Sequence, residues 1–198
     1  SDLKNKRVFI TGGGSGIGSS IVEHFCEQGS EVYFVDIDLK ETKKLINKIK
    51  KNKFRSPTFI ECNLLDINKL EKIIKKIIST KGPIHALINN AANDDRHTTD
   101  QVDEKYWENR MAINLKHYFF AAKSVVKAMK KIKSGSIVNL SSVSWMLGEG
   151  DKVVYETAKS AVVGLTRSFA QEYGKYNIRT NSVVPGSIAT ERQIKHWL

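Results

Sequence analysis

The chain has 198 residues, of which 27% are charged and 40% hydrophobic, and a formal net charge of +11. This length predicts one domain with an ample core, and no apolar run could span a bilayer, so neither a membrane partner nor a signal peptide is expected. The excess lysines fall on predicted outer helices among Ile and Asn rather than among aromatic residues, which favours a solvated surface over nucleic-acid binding.

Strands and helices alternate along the whole sequence. This alternation predicts one α/β domain over residues 1–198, and right-handed crossovers would make it a doubly wound parallel sheet with helices on both faces. A ligand is then expected across the carboxyl ends of the strands. The predicted elements are strand 7–10, helix 17–28, strand 31–36, helix 40–51, strand 58–62, helix 67–79, strand 84–88, helix 104–131, strand 136–140, helix 153–173 and strand 178–184.

A glycine-rich segment follows the first predicted strand and opens the first helix. Strand, glycine turn and helix in this order are the context of a dinucleotide fingerprint. Gly12 permits the tight turn, Gly16 lets a pyrophosphate approach the backbone, and Gly18 lets helix and strand pack closely. The helix N-terminus offers N–H groups and a positive dipole end to phosphates. The residues predicted to bind the cofactor here are Gly12, Ser15, Gly16, Ile17 and Gly18.

The second predicted strand ends in Asp36, 18 residues beyond Gly18. A carboxylate at this position accepts hydrogen bonds from ribose hydroxyls and repels a 2′-phosphate, so it favours NAD over NADP. Gly13 and Ile37 supply no basic group for a 2′-phosphate. The alternative is an aspartate that only starts a turn at the end of the strand.

Tyr155 and Lys159 are four residues apart in a predicted helix, which places both side chains on one face. A nearby ammonium favours the phenolate and lowers the tyrosine pKa, as a general base for an alcohol requires. Such pairs also occur on solvated helix faces, and the glycine segment decides between the two interpretations.

The two cysteines, Cys26 and Cys62, show neither paired nor metal-ligand spacing. We expect buried thiols in a reducing cytoplasm and no bound metal.

With the glycine segment and the Tyr–Lys pair in view, the chain resembles the short-chain dehydrogenase/reductase family, of the type with Thr-Gly-x-x-x-Gly-x-Gly and Tyr-x-x-x-Lys. The match runs the full length, because the intermediate motifs occur in order. Ser142 lies 13 residues before Tyr155, the spacing of the family's catalytic serine, and Asn114 matches its catalytic asparagine. The resemblance implies that Tyr155 is the base, Lys159 lowers its pKa and holds the ribose, Ser142 donates to the substrate oxygen, and Asn114 holds a water.

The resemblance also extends the cofactor site. Asn89–Ala92 stands where the family has Asn-Asn-Ala-Gly on the adenine side, and Pro185-Gly186 matches the segment that contacts the nicotinamide carboxamide. Two positions depart from the pattern: Asn63 replaces an aspartate that bonds adenine, although an amide oxygen can accept the same bond, and Ala92 replaces a glycine. The residues added to the expected NAD site are Asn63, Leu64, Asn90, Ala91, Tyr155, Lys159, Pro185, Gly186, Ile188 and Thr190.

For the architecture, the resemblance implies a Rossmann fold with strand order 3-2-1-4-5-6. It also implies a homodimer or homotetramer that forms through helices 104–131 and 153–173. Burial in the core would explain the apolar residues of these helices equally well. The family's lid helices, last helix and seventh strand have no counterpart in the sequence, so we expect a longer protein or a fragment.

Within the family, the chain is most similar to bacterial sugar 1-dehydrogenases, especially D-xylose dehydrogenases. This similarity rests on stretches that border the substrate pocket of the fold, including Gln193 and Trp197, and it implies NAD-dependent oxidation of an aldose to a lactone. The polar cluster 94–97 suits a polyol, or it is a solvated loop. The residues expected to contact substrate are Asn93, Asp94, Arg96, His97, Ser144 and Trp145.

Two rival functions stay open. The first is an enzyme of the same fold acting on a 3-oxoacyl thioester, another polyol or a ketone. The second is a non-enzymatic nucleotide-binding protein, although such proteins typically lose Tyr or Lys of the catalytic pair.

Overall fold

The computed structural model describes residues 2–196, with the side chains at 192 and 196 left out of the description, so Trp197 lies outside the described residues. Its strands are β1 Arg7–Thr11, β2 Glu31–Asp36, β3 Thr58–Glu61, β4 Ala86–Asn89, β5 Gly135–Leu140 and β6 Ile178–Val183. Its helices are α1 Gly16–Glu27, α2 Leu39–Lys51, α3 Ile67–Lys81, α4 Glu104–Met111, α5 His117–Ile132, α6 Ser144–Leu147, α7 Val153–Tyr173 and α8 Glu191–His196, with 3₁₀ turns at Thr99–Gln101 and Gly174–Tyr176.

The six strands form one parallel sheet in the order β3-β2-β1-β4-β5-β6, which confirms the predicted Rossmann topology. Successive side chains of a strand point to opposite faces. In β1, Phe9 therefore enters one buried cluster with α3, α5 and α7, whereas Val8 and Ile10 enter a second cluster with α1 and α2. The carboxyl ends of all six strands meet at one edge, where the predicted site residues converge.

The predicted helix 104–131 is wrong as one continuous α-helix. It is α4 and α5 joined by a π-helical turn over Ala112–Lys116, which contains Asn114. π-helical turns are rare in proteins, and those that occur are often found at functional sites. The short helix α6 follows Ser142, in a stretch left unassigned by the sequence pattern.

A buried chain of polar side chains links the sheet to α7. Asn89 Nδ2 donates to Asn139 Oδ1 at 2.9 Å, and Asn139 Nδ2 donates to Thr166 Oγ1 at 2.9 Å. The Thr166 hydroxyl in turn donates to the Val162 carbonyl oxygen at 2.7 Å. These bonds connect α7 to β4 and β5 through buried polar side chains, whereas Asn89 Oδ1 has no hydrogen-bond partner among residues 2–196.

In residues 2–196 no helix combines the length and the apolar character needed to cross a bilayer.

Candidate active site

The glycine turn lies between β1 and α1 at the carboxyl edge of the sheet. Gly12 and Gly16 have φ values of +67° and +52°, a region that other residues rarely adopt. Gly18 packs so closely that a Cβ atom would lie 1.8 Å from the Gly12 carbonyl oxygen. Backbone geometry therefore requires glycine at all three positions of the fingerprint.

The N-terminus of α1 is suited to a phosphate. The cap residue Ser15 makes no side-chain hydrogen bond to the first turn, and that turn, which includes Ile17, contains no acidic residue. Its N–H groups are therefore not used by the cap side chain, and no carboxylate of the first turn opposes the positive dipole end.

Asn90 and Ala91 shape the glycine turn from β4. Asn90 Nδ2 donates to the Gly12 carbonyl oxygen at 2.8 Å, and its backbone N–H donates to Thr11 Oγ1 at 3.0 Å. A Cβ atom on Gly12 would lie 2.7 Å from Ala91 Cα. Both predicted cofactor residues therefore border the turn, and the Asn90 amide holds it in place.

Asp36 lies at the end of β2 with its carboxylate fixed by three backbone N–H groups. Oδ2 accepts from Gly14 at 2.8 Å, and Oδ1 accepts from Ile37 at 2.7 Å and from Asp38 at 2.9 Å. The bond to Gly14 places the carboxylate beside the glycine turn, and the other two start the turn into α2. The turn role and a ribose role are thus compatible.

The predicted adenine side follows β3. Leu64 is buried, whereas Asn63 is exposed and its Oδ1 accepts the Leu65 N–H at 3.0 Å. An amide oxygen has a second lone pair, so this bond leaves Asn63 able to accept another donor.

Segment 185–190 runs from β6 toward the glycine turn. The Val143 N–H donates to the Pro185 carbonyl oxygen at 3.0 Å, and the Thr190 methyl carbon would lie 3.5 Å from a Cβ on Gly16. Gly186 and Ile188 between them are exposed. This segment therefore lies at the same edge as the rest of the predicted cofactor residues.

Tyr155 and Lys159 lie on one face of α7, as the spacing predicts. The Lys159 ammonium is 5.6 Å from the centroid of the Tyr155 ring, and Lys159 is only 1% exposed. Ser142, at the end of β5, shares a hydrogen bond of 3.0 Å with the Ser144 hydroxyl. A contact of Ser142 with the Tyr155 phenol completes the group.

The pKa values of the pair differ from the expectation. Burial raises the pKa of Tyr155 to about 12, opposed by the hydrogen bond from Ser142 and reinforced by the charges of Asp94 and Glu149. Burial lowers the pKa of Lys159 to about 7, and Asp94 opposes this shift. The expected lowering of the Tyr155 pKa is therefore wrong for the protein without ligand, because desolvation of the phenolate outweighs the hydrogen bond from Ser142.

Asn114 is fully buried in the π-helical turn and clamps the loop that follows β4. Its Oδ1 accepts the Asn93 N–H at 2.8 Å, and its Nδ2 donates to the Asn93 carbonyl oxygen at 3.0 Å. The predicted catalytic residue and the predicted substrate residue are therefore one structural unit.

The loop 93–98 is tied to elements on either side of Tyr155. Asp94 Oδ2 accepts from Gln193 Nε2 at 2.9 Å, and Arg96 pairs with Asp151 at 2.5 Å. The charge of Asp94 acts on both Tyr155 and Lys159. Asp94 therefore acts on the catalytic pair through its charge, whereas Arg96 is exposed.

His97 is 6% exposed and has protein partners at both ring nitrogens. Nε2 accepts the Val154 N–H at 3.3 Å, and Nδ1 lies 2.9 Å from the Tyr106 hydroxyl. Val154 is in the first turn of α7, where backbone N–H groups have no helical partner. The imidazole thus caps the helix that carries Tyr155.

Ser144 and Trp145 lie in α6. Ser144 is buried against Ser142, and the Trp145 indole N–H is buried without a hydrogen-bond partner among residues 2–196. A buried donor of this kind suits a hydroxyl of a ligand.

Tyr118 is a site residue that the sequence pattern missed. The Lys159 ammonium donates to its phenolic oxygen at 2.8 Å and to the Leu140 carbonyl oxygen at 2.7 Å. The signal in the sequence was its position four residues after Asn114, one helical turn along the same face.

Comparison with known proteins gives consistent results. The family model for short chain dehydrogenases matches residues 6–197. The chain is 39% identical to the probable galactose dehydrogenase of Rhizobium meliloti, over 100% of this chain and 77% of the relative, and 41% identical to the D-xylose 1-dehydrogenase of Caulobacter vibrioides, over 98% and 77%. The solved structure of the Thermoplasma acidophilum aldohexose dehydrogenase superposes with a TM-score of 0.86 at 32% identity, over 98% of this chain and 71% of that one.

Proposed function

This chain belongs to the short-chain dehydrogenase family and is an oxidoreductase acting on CH–OH groups, and we propose that it oxidises an aldose, D-xylose or a similar sugar, at C1 to the lactone with NAD. The observation that carries the proposal is the placement of Asp94. Its carboxylate lies next to Asn93, which Asn114 holds, and bonds Gln193. Its charge acts on Tyr155 and Lys159, so the carboxylate can accept a hydrogen bond from a second sugar hydroxyl.

The residues present fit a dinucleotide. The glycine turn has no room for side chains at Gly12 or Gly18, and the first turn of α1 contains no acidic residue. Asp36 supplies a fixed carboxylate next to the glycine turn. These groups would hold the pyrophosphate and the adenosine ribose.

In the reaction, Tyr155 takes the proton from the C1 hydroxyl as the C1–H bond breaks and the C1 carbonyl forms. Ser142 donates a hydrogen bond to the same oxygen, and the Lys159 ammonium stabilises the phenolate that precedes proton transfer. When bound, oxidised nicotinamide accepts the hydride and adds a second positive charge. The proton gained by Tyr155 then passes to solvent.

A panel of substrates tests the proposed reaction. With NAD and the full-length protein, we expect NADH absorbance to rise with aldoses, with a kcat/KM at least about tenfold above that for linear polyols and for 3-hydroxyacyl thioesters, because Asp94 recognises a second ring hydroxyl. Asp94→Asn should reduce turnover of aldoses, whereas Asp100→Asn, a change at an exposed turn, should not. Turnover of acyl or ketone substrates alone would instead identify a reductase of another class.

Asp36 tests the choice of cofactor. Replacing it with Ser removes the charge that repels a 2′-phosphate and keeps an acceptor for the Gly14 N–H, so the ratio of kcat/KM with NAD to that with NADP should fall at least about tenfold, or about 1.4 kcal/mol. Asp38→Ser is the matched control, because Asp38 is exposed, caps α2 and can be replaced by another good cap residue. An unchanged ratio in Asp36→Ser would remove Asp36 from cofactor selection.

We also propose that the protein acts in the cytoplasm as a homodimer or homotetramer. The support is an apolar face shared by α5 and α7, where Phe119, 42% exposed, lies with its ring 5.8 Å from that of Phe169.

A further inference from the structure

We propose that Tyr118 is a positioning residue for Lys159, because it and the Leu140 carbonyl oxygen accept hydrogen bonds from the ammonium at the end of β5 and hold it beside Tyr155. The proposal rests on the proposed function for its consequence in catalysis. Its structural part concerns only the protein and is testable without substrate.

The contacts of Lys159 define the arrangement. Its ammonium donates to Tyr118 Oη at 2.8 Å and to the Leu140 carbonyl oxygen at 2.7 Å, and Tyr118 Oη lies 3.0 Å from that same carbonyl oxygen. The three atoms therefore form a closed triangle at the end of β5. Lys159 is 1% exposed and Tyr118 is 0% exposed, so water does not compete at this triangle.

The phenol acts as an acceptor toward Lys159. Burial raises the pKa of Tyr118 well above its ordinary value, with the nearby Tyr155 adding to the shift, so the hydroxyl keeps its proton. That proton is donated to the Leu140 carbonyl oxygen, which leaves the oxygen lone pairs for the ammonium. The two acceptors lie 3.0 Å apart on one side of the ammonium, so they fix its position and leave N–H capacity for other partners.

Three other titratable groups face this lysine. Tyr155 lies on its own helix with the ring centroid 5.6 Å from the ammonium, and Asp94 on the loop after β4 favours the cation. His117 lies on α5 and is neutral, because burial lowers its pKa to about 3. The nearby imidazole therefore adds no second cation beside Lys159.

The phenol of Tyr118 stabilises the ammonium form of Lys159. The pKa of that lysine is already lowered to about 7 by burial, so the cation is sensitive to the loss of one acceptor. Without the phenol, Lys159 would release its proton at a lower pH. A smaller fraction of the protein would then carry both a cationic Lys159 and a Tyr155 phenolate. Because the two groups titrate together, this change appears in the pH dependence of activity, which reports the macroscopic pKa values of the pair.

Tyr118→Phe tests the proposal, because it removes the oxygen and keeps the ring. The first measurement is the titration of Lys159 in the unliganded protein by NMR of ¹³C-labelled lysine, with the signal assigned from Lys159→Met. We expect its midpoint to move to lower pH by about one unit. The second measurement is kcat/KM against pH, which reports ionisations of the free enzyme. We expect a plateau about tenfold lower and an acid-side midpoint displaced in the same direction.

Tyr33→Phe is the matched control, since Tyr33 is a buried tyrosine in β2 whose hydroxyl bonds Glu31 away from the site. Both midpoints should stay at their wild-type values in that variant. An unshifted Lys159 titration in Tyr118→Phe overturns the proposal, even if activity falls, because a phenol that only fills space lowers the plateau without moving the midpoint. If the protein proves inactive on every alcohol, the proposed function fails and the NMR result still decides the positioning role.

Discussion

Tyr155→Phe is expected to lower kcat at least about a thousandfold and to leave NADH binding near its wild-type strength. The substitution removes the oxygen that we propose takes the substrate proton and keeps the aromatic ring on α7. Burial holds the pKa of this tyrosine at about 12 in the protein alone, so the phenolate depends on the positive charges that join it during the reaction. With the oxygen gone, the proposed base is lost.

The comparison for this variant is Tyr173→Phe, a tyrosine at the far end of the same helix. Turnover should be measured with excess enzyme, and NADH binding by quenching of protein fluorescence. Tyr173→Phe should retain full activity. If Tyr155→Phe kept more than about 5% of wild-type turnover, another residue would have to be the base.

Gly18→Ala is expected to abolish NADH binding and to reduce the free energy of unfolding by about 3 kcal/mol or more. The new Cβ would lie 1.8 Å from the Gly12 carbonyl oxygen and 2.6 Å from Asn90 Nδ2. Backbone cannot move aside as a flexible side chain can, so α1 must shift away from β1. That shift separates the helix N-terminus from the turn that would hold the pyrophosphate.

Gly164→Ala provides the contrast, because Gly164 is also helical but a Cβ there would contact nothing within 4 Å. Alanine is the better helix former, so this variant should be more stable by about 0.5–1 kcal/mol. Urea unfolding of both variants, with NADH titration of each, separates the two effects. A Gly18→Ala protein with wild-type stability and NADH affinity would contradict the packing argument.

The parts of this molecule that follow from local sequence could be predicted. The glycine turn and the Tyr155–Lys159 pair depend on spacing along one helix or one turn, and both are where the sequence places them. The strand order followed from the family resemblance, and the doubly wound parallel sheet from the handedness of the crossovers. The sign of the Tyr155 pKa shift could not be predicted, because it depends on how deeply the phenol is buried, a property of the whole fold.

Residues that act between elements were the least predictable. His97 stands in a charged stretch that suggested contact with a polyol, yet its ring caps α7 through Val154, a contact between residues 57 positions apart. The contact of Tyr118 with Lys159 spans 41 positions. No periodicity reports such contacts, since each depends on which elements the sheet places side by side.

The buried chain from Asn89 through Asn139 to Thr166 sets the rotation of α7 about its own axis. A slip of one residue would turn the helix by about 100° and leave the Asn139 amide without its Thr166 acceptor, at a cost of about 1–3 kcal/mol. Tyr155 precedes Thr166 by 166 − 155 = 11 positions, close to three whole turns, so the two side chains project in the same direction. The apolar side chains of this helix can therefore change in size without a change in the direction in which the Tyr155 side chain points.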